Sequence, residues 1–261
     1  WKWGYSVPYY LAAIHNTHPD YATFLMNKST LDVTSIGRVI QSIPAERREM
    51  FDKELIEKLY LEFQRHTIDD SKYKEGLKKI LSDQVILVIV PGVSILNDSD
   101  KINKFITNVE PVVISVNSVP ENYKIDYAFF SNLRRFINFI EKNDTENVNY
   151  KLIVTSNVEQ ETTKSRYIVN YADYINDYKY VRDNATLVLL KLLGTMNCKA
   201  IHIAGFDGYE PVKGDNYSDN TLETHLDKNV YLAMNNEIAS FIHKFKEKLN
   251  INFLTASKYY G

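Results

Sequence analysis

Two short stretches each join an apolar run to a glycine turn that carries polar side chains, the arrangement in which a backbone meets a ligand. In Pro91-Gly92-Val93-Ser94-Ile95-Leu96-Asn97-Asp98, a β-branched run ends and a helical pattern begins. Glycine lets a backbone approach a bound group closely, and the unpaired N–H groups of a following helix attract an anion. Gly92 and Ser94 are therefore candidates to hold a phosphate. The same residues also suit an ordinary turn, with Asn97 or Asp98 capping the next helix. The stretch matches neither G-x-G-x-x-G nor a P-loop. In Ile201-His202-Ile203-Ala204-Gly205-Phe206-Asp207-Gly208-Tyr209 a second run opens into a turn with an acid and an aromatic. Asp207 is placed to hold a ribose or sugar hydroxyl and Tyr209 to stack on a ring. The alternative is an Asp-Gly turn with Tyr209 packed beneath it.

The remaining reactive side chains point less clearly to chemistry. His15 and His18 stand at i,i+3, but Pro19 follows at once and no carboxylate is placed as a third ligand, so no metal is expected in this chain. His66, His202 and His243 read as a helix end, a strand residue and a solvated helix residue. Cys198 is the one cysteine, which excludes an internal disulfide and a Cys-rich zinc site, suits a reducing cytoplasm and reads as a buried apolar filler. With 31 basic and 33 acidic residues spread along the chain, the net charge of -2 offers no basic stripe for nucleic acid. The longest apolar runs, at 85–90 and 187–193, fall far short of the roughly 20 residues needed to span a bilayer.

The elements that must position these turns change character along the chain. Residues 1–81 carry helix signals. Asp32 can cap a helix bearing Ile36, Val39, Ile40 and Ile43, and Pro44 opens a longer one whose apolar stripe runs through Met50, Leu55, Leu59 and Phe63, with Phe51 and Ile56 beside it. Glu54, Lys58 and Glu62 then face water. Residues 82–261 alternate, with Asp69 to Asp83 as the boundary. Strands are expected at 84–90, 111–116, 127–130, 151–155, 166–169, 200–204 and 251–254. Helices are expected at 101–108, 132–140, 184–196 and 231–249. This predicts an α/β fold, a helical bundle followed by an open, mostly parallel Rossmann-like sheet with helices on both faces and a ligand at the carboxyl ends of its strands. The segments Tyr171 to Asp183 and Asp207 to Asp227 fit neither period and are long enough for binding loops or for surface padding.

The opening Trp1-Lys2-Trp3-Gly4-Tyr5-Ser6-Val7-Pro8-Tyr9-Tyr10, with the following residues to Leu25, resembles the helical segment behind the barrel of 4-hydroxy-2-oxovalerate-type aldolases, including aldolase-like proteins of bacterial surface polysaccharide synthesis. The resemblance implies that the chain is the carboxyl-terminal region of such an enzyme, cut from a longer chain. The barrel, with its divalent metal on an Asp and a His-x-His, would then lie outside it, leaving no cofactor in this chain. The aromatic opening would have packed on that barrel, so a homodimer is one way to cover it.

From Val88 to Ser257 the chain resembles the single-domain bacterial sialyltransferases, through Pro91-Gly92-Val93-Ser94-Ile95, Ser115-Val116-Asn117, Phe129-Phe130-Ser131-Asn132, Asp183-Asn184-Ala185, Gly205-Phe206-Asp207-Gly208-Tyr209 and Leu254-Thr255-Ala256-Ser257. In that family these turns surround a cytidine nucleotide sugar. The resemblance implies Ser94, Asn117, Asn132, Asn184, Asp207 and Tyr209 as ligand contacts. The family's catalytic His stands just ahead of the last long helix. Starting that helix near Met234 puts Leu232 or Ala233 there, and His225 fits only on a shifted alignment. The leading expectation is a cytoplasmic domain that binds a nucleotide, nucleotide sugar or phosphorylated sugar. A sialyltransferase-like glycosyltransferase and a protein interaction module are the alternatives.

Overall fold

A computed structural model of the chain describes residues 32–41, 45–49, 52–66, 68–142, 148–158, 166–211, 216–219, 222 and 226–260. A 3-10 turn at Val33–Ser35 leads into α1 (Ile36–Gln41), α2 (Ala45–Arg48), α3 (Lys53–Arg65) and α4 (Ser71–Leu81). Then come β1 (Val85–Ile89), α5 (Ser94–Asn97), α6 (Ser99–Val109), β2 (Val112–Val116), β3 (Tyr127–Phe130), α7 (Leu133–Lys142) and β4 (Lys151–Thr155). The chain continues through β5 (Arg166–Val169), α8 (Tyr171–Tyr174), α9 (Ala185–Leu193), β6 (Ala200–Ala204), α10 (Lys228–Lys246) and β7 (Ile251–Phe253).

The strands form one seven-stranded sheet in the order β5-β4-β3-β2-β1-β6-β7, parallel at every pairing. From β1 the chain steps outward through β2 to β5, then returns to the other side of β1 for β6. The order reverses between β1 and β6, and that crevice is where open α/β sheets take their ligands. Strand periodicity divides the core into two faces. Ile86, Val88, Phe129 and Ile153 pack with Leu77 and Leu81 of α4, the leucines of α9, and Ile238 and Phe241 of α10. Leu87, Ile89 and Val113 face Ile95 and Ile102 on the other side, and Phe130 and Val154 face Phe136 and Phe139 of α7. The expected doubly covered sheet is thus present. The apolar run at 187–193 is a helix buried on nearly every side, with Lys191 only partly covered.

The helical half departs from expectation in its details. The residues beyond Pro44 form two helices, and Asp52 starts the second by accepting from the Leu55 N–H at 3.1 Å. Its most buried positions are Ile56, Tyr60 and Gln64, so the inward face is turned one residue from the expected Leu55, Leu59 and Phe63, which are half-buried. Met50, Phe51 and Ile43 lie outside the described residues, as does the whole aromatic opening with His15 and His18. α1 and α3 close a second core over Tyr171, Ala172 and Ile175, whereas α4 joins the core on the sheet.

Asp32 makes no capping bond to its own turn. Its carboxylate crosses to the sheet instead. There it accepts from the Leu133 N–H at 3.2 Å, Asn157 Nδ2 at 3.1 Å and Asn132 Nδ2 at 2.7 Å. The competing demand is the start of α7, whose free N–H groups favour a carboxylate. Beside it, the Tyr171 hydroxyl accepts from the Val33 N–H and donates to Asp183.

Two outcomes are expected from this packing. Asp32→Ala strands buried amides, so it should cost about 2–3 kcal/mol in urea unfolding; a loss under about 0.5 kcal/mol would show the staple to be dispensable. His202 on β6 packs against Phe105 with the rings tilted at 45° and their centroids 4.6 Å apart, and burial pulls its pKa below the ordinary 6.5. The unfolded chain therefore takes up a proton first as the pH falls through 6.5, and stability drops from there down to the lowered folded value. His202→Phe should flatten that fall in a thermal-melt series between pH 7 and 5; an unchanged slope contradicts it.

Candidate functional site

The turns after β1 and β6 touch. The Gly92 N–H donates to the Gly205 carbonyl at 2.9 Å, and the Gly205 N–H donates to Thr255 Oγ1 at 2.9 Å, one strand further on. The Ser94 N–H donates to Asp207 Oδ2 at 2.8 Å and the Ser94 hydroxyl donates to Asp207 Oδ1. Ser94 has then used its only proton, so Thr255 donates across the 2.8 Å to Ser94 Oγ. Both glycines are required by this closeness. A Cβ on Gly92 would collide with the Gly205 carbonyl and the Asp207 carboxylate, and one on Gly205, at φ +78°, with the Val90 carbonyl. The close approach expected at Gly92 is therefore made by the chain itself.

A second group forms around Tyr209. Its backbone is held on both sides by Asn235, whose Oδ1 accepts from the Tyr209 N–H at 2.9 Å and whose Nδ2 donates to the Tyr209 carbonyl at 2.9 Å. The Tyr259 hydroxyl donates to the same Oδ1 at 2.7 Å. Asn184 caps α9 through the Thr186 and Leu187 N–H groups and donates from Nδ2 to the Tyr209 hydroxyl at 3.3 Å. The Tyr209 ring stacks on Tyr231 with centroids 5.6 Å apart. Burial, with Tyr217 and Tyr259 nearby, pushes the Tyr209 phenol well above its ordinary pKa, and burial does the same to Tyr259. Both are protonated hydrogen-bonding groups at neutral pH.

Asn117 and Asn132 stand at the ends of β2 and β3. Asn117, at φ 53°, accepts from the Ser131 N–H at 3.3 Å. Asn132 caps α7 through the Arg135 N–H at 3.0 Å and donates to Asp32. Between them the Ser131 hydroxyl is buried with no hydrogen-bond partner. Arg135 reaches from the first turn of α7 to the Leu222 carbonyl, with its guanidinium over the Tyr217 ring at 5.6 Å. Burial lowers its pKa.

The segment after β6 roofs this edge. Its Ser218 donates through N–H and hydroxyl to the Pro91 carbonyl, at 2.9 and 3.3 Å. Asn216 and Glu210 exchange two bonds, and Lys258 pairs with Glu210 at 2.5 Å. The structure thus brings Gly92, Ser94 and Asp207 into one contact, Asn184 and Tyr209 into a second, and Asn117 and Asn132 to the neighbouring strand ends. Except for Gly92, all are half-buried. Sequence reasoning missed Asn235, Tyr259 and Arg135, and named Thr255 only as part of the 254–257 turn, without a contact of its own. Thr255 carried a usable signal, a hydroxyl two residues past a strand.

α10 begins at Lys228 instead of near Tyr231 or Met234, because Asp227 accepts from the Asn229 N–H at 2.8 Å and opens the helix early. Leu232 and Ala233 accordingly lie inside it. His225, three residues before Lys228 in sequence, lies outside the described residues. Asp98 precedes α6 but makes no side-chain cap bond. The Cys198 thiol, pushed up to about 11 by burial, is half-buried with its Sγ 3.8 Å from the Leu193 carbonyl.

Among the described residues, no three His, Cys, Asp or Glu gather in a way that could hold a metal ion, and no helix is long and apolar enough to cross a membrane. Neither a scan of protein-family models nor a search of curated proteins returns a match for this chain.

The contact between the turns makes its own forecast. Gly205→Ala is expected to cost about 1–3 kcal/mol from left-handed backbone strain, with the collision of its Cβ on the Val90 carbonyl adding to it. Asp207→Ala should cost about 1–2 kcal/mol by uncovering the start of α5. Chemical denaturation of both variants checks this; wild-type midpoints for the pair would mean the turns do not meet in solution.

Proposed function

We propose that the carboxyl edge of the sheet binds a nucleotide, nucleotide sugar or phosphorylated sugar, in a chain that forms the non-barrel, carboxyl-terminal region of an aldolase-like enzyme of bacterial surface polysaccharide metabolism. The observation that carries the binding reading is the meeting of the β1 and β6 turns at the reversal of strand order, under the segment that Ser218 pins to Pro91. Half-buried hydroxyls, amides and phenols crowd there, and the Ser131 hydroxyl has no partner. A carboxylate has about four acceptor sites, so Asp207 retains capacity for a sugar hydroxyl after binding Ser94. The anion is the part that must be moved from its expected place. Asp207 already fills the Ser94 N–H, so a phosphate is better matched by the Arg135 guanidinium. The aldolase part of the reading rests on Trp1 to Leu25 and on no other residues.

One observation favours the glycosyltransferase reading as second. With α10 starting at Lys228, the position just ahead of the last long helix falls close to His225, where the sialyltransferase-type base belongs. A base on the acceptor hydroxyl contributes roughly a hundredfold to ten-thousandfold.

Calorimetry with cytidine and uridine mono- and diphosphates and their sugar conjugates tests the first reading. At least one is expected to bind with a Kd at or below about 1 mM, and Arg135→Gln to weaken it about tenfold or more while the melting curve stays cooperative. If none binds at that concentration, the ligand reading fails and the interaction module becomes the better account. Donor hydrolysis or transfer that persists in His225→Ala would remove the second.

A further inference from the structure

The segment Tyr171 to Asp183, which fits neither period in the sequence, forms with α9 and α10 a groove of about 320 Å³ away from the strand ends. One wall is Asn176, Asp177 and Tyr178, and it is fixed in place. Glu237 of α10 accepts from the N–H groups of Lys179, Tyr180 and Val181 at 3.2, 2.8 and 3.2 Å. Asn176 donates to the Val181 carbonyl at 2.8 Å and accepts from the Tyr178 N–H at 2.9 Å. The Tyr178 hydroxyl reaches Ser240 at 3.1 Å. A wall held this way needs little ordering when a ligand arrives, which removes a main cost of binding.

The groove offers flat apolar surface and positive charge together. Phe241 and Phe245 stack with centroids 4.2 Å apart, and Tyr178 meets Phe241 edge-on at 6.5 Å. Lys191 and Lys244 both line the groove. Lys191 donates to the Ile175 carbonyl and forms no ion pair among the described residues. Lys244 lies over the Tyr178 ring at 5.6 Å, likewise without one. Asp177 is the single carboxylate in the lining, and Asp173, the other acid acting on Lys191, is paired with Lys74 at 3.0 Å. Burial draws the Lys191 pKa down against the pull of Asp177 and Asp173, the mark of an ammonium short of counter-charge.

We propose that this groove binds a small planar anion, an aryl phosphate or aryl carboxylate, with its ring against Tyr178 and Phe245 and its charged group between Lys191 and Lys244. Ring and charge are both needed. An anion without a ring leaves the aromatic surface wet, and a ring without a charge leaves the half-buried ammonium uncompensated.

The test titrates phenyl phosphate, inorganic phosphate and benzyl alcohol into the ¹⁵N-labelled chain and follows amide shifts. Phenyl phosphate is expected to move the amides of 176–178 and 241–245, with each half-ligand binding at least about tenfold more weakly at those amides. Lys191→Met and Lys244→Ala should each weaken phenyl phosphate about tenfold, the exposed Lys244 serving as the variant that leaves the packing intact. Ser94→Ala, at the strand ends, should leave it unchanged, which separates this groove from the proposed nucleotide site. The inference is overturned by any of three results: no shift in the groove amides up to about 10 mM, both lysine variants binding like the wild type, or either inorganic phosphate or benzyl alcohol binding there as well as phenyl phosphate.

Discussion

The contact on which the carboxyl edge depends is the Asp207 carboxylate seated on the Ser94 N–H and hydroxyl. A sheet covered by helices on both faces exposes polar backbone at its strand ends and along its two edge strands, so each turn at the ends must find partners for its N–H and C=O groups. β1 and β6 run side by side, and their turns leave in opposite senses. Only two residues without a Cβ, Gly92 and Gly205, let the backbones pass at hydrogen-bond distance. That closeness brings Asp207 over the start of α5, and Thr255 extends the chain of hydroxyls to β7. The departure of the polypeptide after Asp207 is then set, and the following segment returns across Pro91.

A second carboxylate solves the same problem two strands away. Asp32 arrives from the helical half and fills the start of α7 together with the Asn132 and Asn157 amides. The buried acid gains at least three donors, which offsets the cost of removing its charge from water. In this way the helices ahead of α4 are tied to the edge of the sheet through a polar link as well as through the apolar core around Tyr171.

Period carried most of the sheet in the sequence. The expected strands fell within a residue of the observed ends, most clearly at β1, whose β-branched run stops at Pro91-Gly92 and is buried at all but its first position. Helix starts were less legible. A pattern that begins at its first apolar residue misses the polar turn ahead of it, so α10 opens at Asp227 and Lys228 before any core residue appears. The face of α3 was misjudged because Gln64, which accepts from Ser156 and donates to Tyr60, is buried without leaving an apolar signature. For the candidate site, turn composition singled out residues that gather at the strand ends. It was silent about which of them would consume one another's hydrogen bonds. Local spacing assigns a residue to a strand end, but whether Asn132 meets a ligand or Asp32 is decided a hundred residues away along the chain.

That mutual consumption orients any ligand on the nucleotide-binding reading. The two helix starts that would ordinarily draw a phosphate already hold Asp207 and Asp32, and a second anion beside either carboxylate meets like charge in a poorly solvated place. A neutral hydroxyl suits Asp207, since a sugar can donate to the lone pairs that the Ser94 N–H and hydroxyl leave open. A cation at this edge is Arg135, which starts beside Asn132 and ends on the Leu222 carbonyl of the roofing segment. A ligand that engaged it would lie with its polyol over the strand ends and its anion toward the roof. Such a pose couples binding to the segment that Ser218 holds against Pro91, because the same guanidinium donates to the Leu222 carbonyl of that segment.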